Sequence, residues 1–545
     1  MSPSDKEKST RRSLRFSWVL PCLLAILLLA AAVRFRLLDA PLERDEGEYA
    51  YAGQLILQGV PPYRNVYNMK MPGIYAGYAL IEAAFGETPR AIHVGLLLVN
   101  GVTILLVFLL ANRLYGQVAG VAAAAAYAFL SLGVPVQGIF ANAEHFVLPP
   151  ALGGILLLIR SENRPGPWPT LAGGLLLGLA FLTKQHGAAF IVFAALHLLF
   201  SELRYRPFAW KAFSLRSLLF LVGVLLPFGL TCLILWRVGV FDKFWFWTFD
   251  YAREYASGLQ LSDGLHNLRG RITILVLSAP LLWALAGVGL TAPVWNRKVR
   301  KQSAFMAGFG VFSFLAVCPG LYFRPHYFVF LLPAVSILVG VAIAGLEGLF
   351  AGSGSVRVGR IAAFLLIAGS ILQGAYQQRG FLFFSDPVTA CRTTHGFHNL
   401  FPESLEIARY IKEHTTEEDR IAVIGSEPQI YFYARRRGAT GYIYTYALME
   451  DHDFAQAMQQ EMIQEIESAR PKYLVFVNIA MSWFVRPDSV KDIFEWSERY
   501  QDEFYEVAGI IDMVSWDRVL YRWDEEAIGY SPQSEFWLAV FVRRQ

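Results

Sequence analysis

Long stretches without a charged side chain recur along this chain, and they decide what it can fold into. Residues 16–33 contain no charge at all. About 20 apolar residues wound at 1.5 Å per residue cross the hydrocarbon core of a bilayer. Further runs lie near 91–110, 118–135, 142–159, 217–236, 272–293, 304–318, 327–347 and 361–376, and residues 171–200 are long enough for two helices. Together they predict about eleven crossings. Composition agrees: 55% of the 545 residues are hydrophobic and 17% charged, where soluble chains carry roughly a quarter. The mean hydropathy is +0.39. The net charge of +4 implies no nucleic-acid partner, because Lys and Arg gather in short loops between apolar runs. Cys22, Cys232 and Cys318 lie in those runs and Cys391 far from them, a pattern that suggests neither a metal set nor a disulfide framework.

Charge placement gives an orientation. Arg11, Arg12 and Arg15 precede the first run, and Arg34 and Arg36 follow it with no small-residue cleavage site. The run therefore reads as a retained helix with a cytoplasmic N-terminus. Residues 171–200 are interrupted by Thr183-Lys184-Gln185-His186. Arg160 and Arg164 stand on one side of them, and Arg204, Arg206, Lys211 and Arg216 on the other. Both flanks are cytoplasmic only if the chain crosses twice, which puts Lys184 and His186 at the outer surface. A lysine at mid-bilayer would cost about 3 kcal/mol even on the gentler insertion scale. The expected architecture is an α-helical polytopic membrane domain over 1–376, with outer loops 34–90 and 237–271, and a soluble extracytoplasmic α/β domain over 377–545. In the second loop, Phe244-Trp245-Phe246-Trp247 suits an interfacial helix in the headgroup zone. In the α/β domain, helices are expected at 403–414 and 452–469, and strands at 420–425, 472–478, 504–514 and 517–523.

This topology sends most unusual polar groups of the membrane part to one face. Asp45, Glu46, Glu48 and Lys70 come from the first loop, which runs as a polar stretch over 41–73. Asn142, Glu144 and His145 open the fourth span, Lys184 and His186 sit at the hairpin, and Arg324, His326 and Tyr327 in the last turn. Blander roles compete: Glu46 and Glu48 as solvated charges, His145 and His186 as helix ends, and Arg324 as a snorkelling anchor. A carboxylate and ammonium ions at a membrane surface suit transfer of a sugar carried on a lipid phosphate. Asp45 would accept the proton of an attacking hydroxyl, worth about 10²–10⁴-fold. Lys70, Lys184, Arg324 and His326 would neutralise the departing phosphate. One displacement inverts the anomeric carbon, and no second carboxyl is needed, unlike glycoside hydrolysis. A transporter would instead place ionisable groups near mid-bilayer, often in paired repeats, and no repeat is visible. A membrane-anchored binding module would need only one span.

Several of these segments resemble a known family. Asp45-Glu46 after the first span, Tyr49-Ala50, and Lys70 with Pro72 before the second are similar to the first periplasmic loop of GT-C glycosyltransferases. Phe181-Leu182-Thr183-Lys184-Gln185 and Arg324-Pro325-His326-Tyr327 also resemble segments of those proteins. The resemblance is to the bacterial branch of the dolichyl-phosphate-mannose protein mannosyltransferase family, which includes aminoarabinose transferases, and covers roughly 15–375. It implies Asp45 as catalytic base and Lys70 on the carrier phosphate; the convergence on one face adds Glu46, Glu144, His145, Lys184, Arg324, His326 and Tyr327 as expected substrate-binding residues. The resemblance further implies a polyprenyl-phosphate sugar donor, an extracytoplasmic lipid, glycan or protein acceptor, and an inner-membrane location. An O-antigen-type ligase or polymerase using a diphosphate-linked glycan is the neighbouring alternative. Lys70-Met71-Pro72 replaces the frequent Lys-Pro-Pro, and Met69 stands where the aminoarabinose group has an acid. No cofactor is assigned, and a divalent cation is left open.

Overall fold

The computed structural model describes residues 18–161, 167–203, 210–352 and 356–544. Arg11, Arg12, Arg15, Arg164, Arg204 and Arg206, and the first two residues of the 16–33 run, lie outside the described residues. Within them, seven helices are long and apolar enough to cross a membrane: Val19–Arg36, Pro89–Tyr115, Ala143–Ser161, Gln185–Leu203, Trp210–Arg237, Leu332–Leu349 and Arg357–Gln377. Gln117–Leu130, Pro167–Thr183 and Ser303–Leu315 are shorter apolar helices at three further expected positions. The chain is a multi-pass membrane protein.

The run expected as one straight span at 272–293 is instead a pair, Leu261–Ser278 and Pro280–Trp295, bent by 106°. Pro280 has no N–H to continue the ladder and drives the preceding residue out of helical geometry. Ala279 accordingly sits at φ −155°, ψ 60°. The 171–200 segment breaks at Lys184, which is extended at φ −159°, ψ 139°.

The chain folds as two compact units. One comprises Met1–Leu37, His93–Leu230 and Leu259–Ser385, and the other Leu38–Ile92, Thr231–Gly258 and Asp386–Gln545. In the first, helix Leu332–Gly352 packs on Gln117–Leu130 and Pro280–Trp295, and Ala143–Ser161 on Pro167–Thr183.

The second unit is built on a six-stranded sheet. Its strands are β1 (Arg420–Ile424), β2 (Arg437–Gly438), β3 (Tyr473–Asn478), β4 (Tyr505–Ser515), β5 (Arg518–Trp523) and β6 (Trp537–Arg543). Their order is β2-β1-β3-β6-β4-β5. The first three are parallel, and the β3–β6, β6–β4 and β4–β5 pairs are antiparallel. Ile421, Val423, Leu474, Val475, Leu538 and Val540 are fully buried, each worth about 1.5–3 kcal/mol. Two strands were not expected. β2 is two residues long, and β6 is a continuous apolar run in the middle of the sheet, without the alternation that marks a half-exposed strand. From β1 the chain turns to β2 on one side, while β3 lies on the other. The carboxyl ends of β1 and β3 therefore form a topological switch point, where open α/β sheets usually take ligands.

The stretch expected as a polar loop contains two helices of this unit, Arg44–Leu57 and Pro72–Phe85. A capping box starts the first: the Glu46 N–H donates to the Glu43 carboxylate, and the Glu43 N–H to the Glu46 carboxylate, pairing two otherwise orphaned donors. Pro72 opens the second, where a missing N–H costs nothing. Half of the aromatic cluster expected in the headgroup zone is internal, and Trp245 is exposed. Phe244 and Trp247 are buried, Phe244 against Tyr63 at 5.3 Å and Trp247 stacked on Tyr67 at 6.1 Å.

Candidate active site

Asp45 lies in the first turn of the Arg44–Leu57 helix, and Lys70 two residues before the Pro72–Phe85 helix. Lys70 Nζ is 3.0 Å from Asp45 Oδ1, and the two side chains are 15% and 11% exposed. The Tyr49 ring lies 5.4 Å from the same ammonium, within cation–π range. Tyr63 donates to the Lys70 carbonyl at 2.7 Å and fixes the lysine backbone. One turn on from Asp45, Glu48 is fully buried. It accepts hydrogen bonds from Tyr75 at 2.5 Å and from the Asn68 amide at 2.7 Å, tying both helices together beneath the pair. Glu46, with its carboxylate in the capping box, is also fully buried.

Glu43, Asp45, Glu46 and Glu48 place four carboxyls within six residues. Burial first, then the charges of Asp45 and Glu46, push Glu43 well above the usual carboxylate range. Burial pushes Glu48 up to about 7 against the pull of Lys70. A carboxyl raised in the folded state stabilises the fold fully below its ordinary value of 4.5, and that contribution is lost as pH rises through 7. We expect the wild-type minus Glu48→Gln difference in unfolding free energy to fall by about 1.4 kcal/mol per pH unit across this window. Thermal melts at several pH values measure it. A flat difference would show that Glu48 titrates normally.

The switch point of the sheet holds the start of the Asp45 helix. Arg44 Nη2 pairs with Glu427 at 2.7 Å, and both side chains are buried. Its Nε donates to the Ser426 carbonyl, its Nη1 to the Tyr446 hydroxyl at 2.9 Å, and its Nη2 also to Asn399 at 3.4 Å. Ser426 and Glu427 follow β1, and Ser482, which accepts from the Ser426 N–H at 2.7 Å, follows β3. Tyr51 on the same helix accepts from the Gly438 N–H at 2.7 Å. At Gly47 a Cβ would lie 2.6 Å from the Gln429 backbone nitrogen, so only glycine permits this approach. Tyr444, in the segment after β2, reaches the site: its hydroxyl lies 3.4 Å from Asp45 Oδ1. None of Arg44, Glu427, Tyr444, Tyr75 or Asn68 was singled out in the sequence. The clearest signal was Arg44, a basic residue among acids at a helix start, where basic charge is disfavoured.

The first unit holds a second cluster. Glu144 and Lys184 form a buried ion pair, and the Lys184 ammonium lies 4.5 Å from the centre of the Tyr327 ring. His186 and His326 each meet that ring edge-on at 4.9 Å. His326 Nδ1 is 2.8 Å from Gln137 Oε1, and His186 Nδ1 is 2.7 Å from the Ala316 carbonyl. Leu321 and Phe323, just before Arg324, have φ of 57° and 46°, about 1–3 kcal/mol of strain each. Arg324 lies 5.4 Å from the Tyr322 ring. His145 and Asn142 are buried, and among the described residues their side-chain nitrogen and oxygen atoms have no hydrogen-bond partner. The sequence-predicted residues thus form two groups: Asp45, Glu46 and Lys70 in one unit, and Glu144, His145, Lys184, Arg324, His326 and Tyr327 in the other. Among the described residues no three His, Cys, Asp or Glu side chains are placed to hold a metal ion.

Comparison with known proteins follows this geometry. Residues 70–228 match the family model described as dolichyl-phosphate-mannose-protein mannosyltransferase. A curated relative, the undecaprenyl phosphate-alpha-4-amino-4-deoxy-L-arabinose arabinosyl transferase 1 of Pseudomonas fluorescens (strain Pf0-1), is 27% identical over 278 residues, 48% of this chain and 47% of its own. The chain spans about half the length of that relative. In three dimensions the chain is similar to apo ArnT from Cupriavidus metallidurans, with a TM-score of 0.57, 16% identity, and 97% and 98% of the two chains covered. The fold is GT-C-like. ArnT bound to undecaprenyl phosphate aligns with this GT-C fold at a TM-score of 0.55 and 17% identity, over 85% of this chain and 93% of that one. The oligosaccharyltransferase AglB from Archaeoglobus fulgidus, in complex with an inhibitory peptide and a dolichol-phosphate, aligns at 0.51 and 13%, over 94% and 75%. The family match begins at Lys70 and includes Glu144, His145 and Lys184. It does not reach Asp45 or the sheet that clamps the Asp45 helix.

Proposed function

We propose that this protein is an inverting glycosyltransferase of the inner membrane that moves a sugar from a polyprenyl-phosphate carrier to an extracytoplasmic acceptor hydroxyl. The observation that carries the reading is the Asp45–Lys70 pair, 3.0 Å apart and slightly exposed above a buried carboxylate–tyrosine network. The acceptor oxygen attacks the anomeric carbon and its proton passes to Asp45 Oδ. The bond between that carbon and the phosphate oxygen breaks, and the carrier phosphate gains one negative charge. Lys70 offsets that charge as it develops. Buried tyrosines and Asn68 hold both groups before substrate arrives, so little reorganisation accompanies the reaction. The matched relatives, whose names include undecaprenyl phosphate and dolichol-phosphate, support the donor class. For the cluster of the membrane unit we propose substrate holding: Lys184, Arg324 and His326 toward anionic groups, with Glu144, His145 and Tyr327 around them. The positive loops favour a cytoplasmic N-terminus.

The test is transfer by purified protein from radiolabelled undecaprenyl-phosphate sugars, with pentosyl and hexosyl donors side by side. Formation of undecaprenyl phosphate and a labelled acceptor supports the reading; no transfer with any such donor removes it. Lys70→Ala is expected to weaken binding of undecaprenyl phosphate about 10- to 100-fold, the loss of one charged hydrogen bond of about 1.5–3 kcal/mol. Titration in detergent measures this, and an unchanged affinity would take Lys70 away from the phosphate.

A further inference from the structure

We propose that the sheet-bearing part of the second unit completes the catalytic site, with Tyr444 as the positioning residue that holds Asp45 when the donor phosphate draws Lys70 away. This rests on the transferase reading of Asp45 and Lys70. The two observations behind it are independent. Arg44 is gripped at the switch point by Glu427, Ser426, Tyr446 and Asn399, so residues after β1 and β2 fix the backbone that presents Asp45. Tyr444 reaches the carboxylate itself, on the same Oδ1 that Lys70 contacts.

Lys70 and Tyr444 are unequal donors to Oδ1. Lys70 is at 3.0 Å and Tyr444 at 3.4 Å, long for an O–H···O contact. An ammonium shared by a carboxylate and a phosphate that gains negative charge as the sugar leaves cannot serve both fully. As Lys70 turns to the phosphate, Asp45 loses its strongest partner just when it must remain ionised and aimed at the acceptor. Tyr444 brings a hydroxyl within reach, and catalytic contacts that are long in the resting enzyme tighten in the complex. Its ring packs edge-on against Tyr446 at 4.6 Å, and Tyr446 in turn packs on Phe484 at 4.7 Å, so the hydroxyl is delivered by a braced side chain. Its neighbours, Asp45 and Tyr446 among them, keep the phenol protonated, well above its ordinary range, with burial the largest cause. Ionisable groups near Asp45 include Glu43 and Glu48 on its own segment and Lys70, Tyr75 and Tyr78 on the following one.

The test compares wild type and Tyr444→Phe as full-length protein in detergent, loaded with undecaprenyl phosphate. Carbodiimide and glycinamide label protonated carboxyls, and mass spectrometry follows labelling of Asp45 against pH. Loss of the Tyr444 hydroxyl is expected to move the labelling midpoint up by about one pH unit. With a sugar donor, kcat/KM falls about tenfold and its acid limb moves up in parallel, while affinity for undecaprenyl phosphate stays that of wild type. An unmoved labelling midpoint overturns the proposal, as does lowered activity with an unshifted acid limb, the signature of a merely structural tyrosine. Absence of transfer in wild type would remove the transferase reading, and the labelling midpoint would still decide whether Tyr444 holds Asp45.

Discussion

Asp45→Asn is expected to reduce sugar transfer about 10²–10⁴-fold, the usual worth of a general base, while undecaprenyl phosphate binds as tightly as before or more so. Asp45 and Lys70 are in contact at 3.0 Å. An asparagine keeps the shape and can still accept from the Lys70 ammonium, so the pocket persists. It cannot take a proton from an attacking hydroxyl, and it no longer competes as an anion for Lys70. Rate and affinity therefore move in different directions, which a general loss of folding cannot imitate. Single-turnover transfer and carrier titration on the same preparation measure both. Transfer at the wild-type rate would remove Asp45 as the base.

The second large effect concerns stability. Glu427→Ala is expected to destabilise the protein by about 3–5 kcal/mol, the cost of leaving one partner of a buried ion pair uncompensated. Arg44 is buried with Glu427 as its nearest counter-charge, and the same carboxylate accepts from the Gln429 side chain at 2.6 Å. Removal strands a guanidinium and an amide together. Glu427→Gln keeps the volume and part of the hydrogen bonding, so its loss should be smaller. Thermal unfolding of the purified protein ranks the three. An alanine variant that melts with wild type would mean that the pair contributes nothing to holding the Asp45 helix on the sheet.

Much of this architecture was legible because membranes impose a simple length rule. Uncharged runs had to be helices, and apolar helices occupy all eleven expected positions. What the rule does not read is a break within a run: Pro280 bends the expected 272–293 span by 106°, and proline is common enough in membrane helices to be passed over. The pairing of Asp45 with Lys70 was legible from chemistry, since acid and base share a short stretch. Tyr444 was not, because it lies 399 residues along the chain from Asp45 and nothing local distinguishes it from the tyrosines around it. Glu48 reads in the sequence as a candidate surface charge, and its burial depends on Tyr75 from the next helix and Asn68 from the segment before it. β6 was missed for a different reason. A central strand flanked on both sides needs no alternation, and its Leu538–Val542 run has none.

The glycine at position 47 sets a rule for how this protein can change over time. A methyl group there would collide with the main chain at Gln429, and main chain cannot step aside as a side chain can. The helix carrying the proposed base and the segment after β1 are thus matched surfaces with zero clearance. Exchange of the sheet-bearing part for that of a distant cousin would have to carry this helix with it, so the two should be inherited as a single cassette.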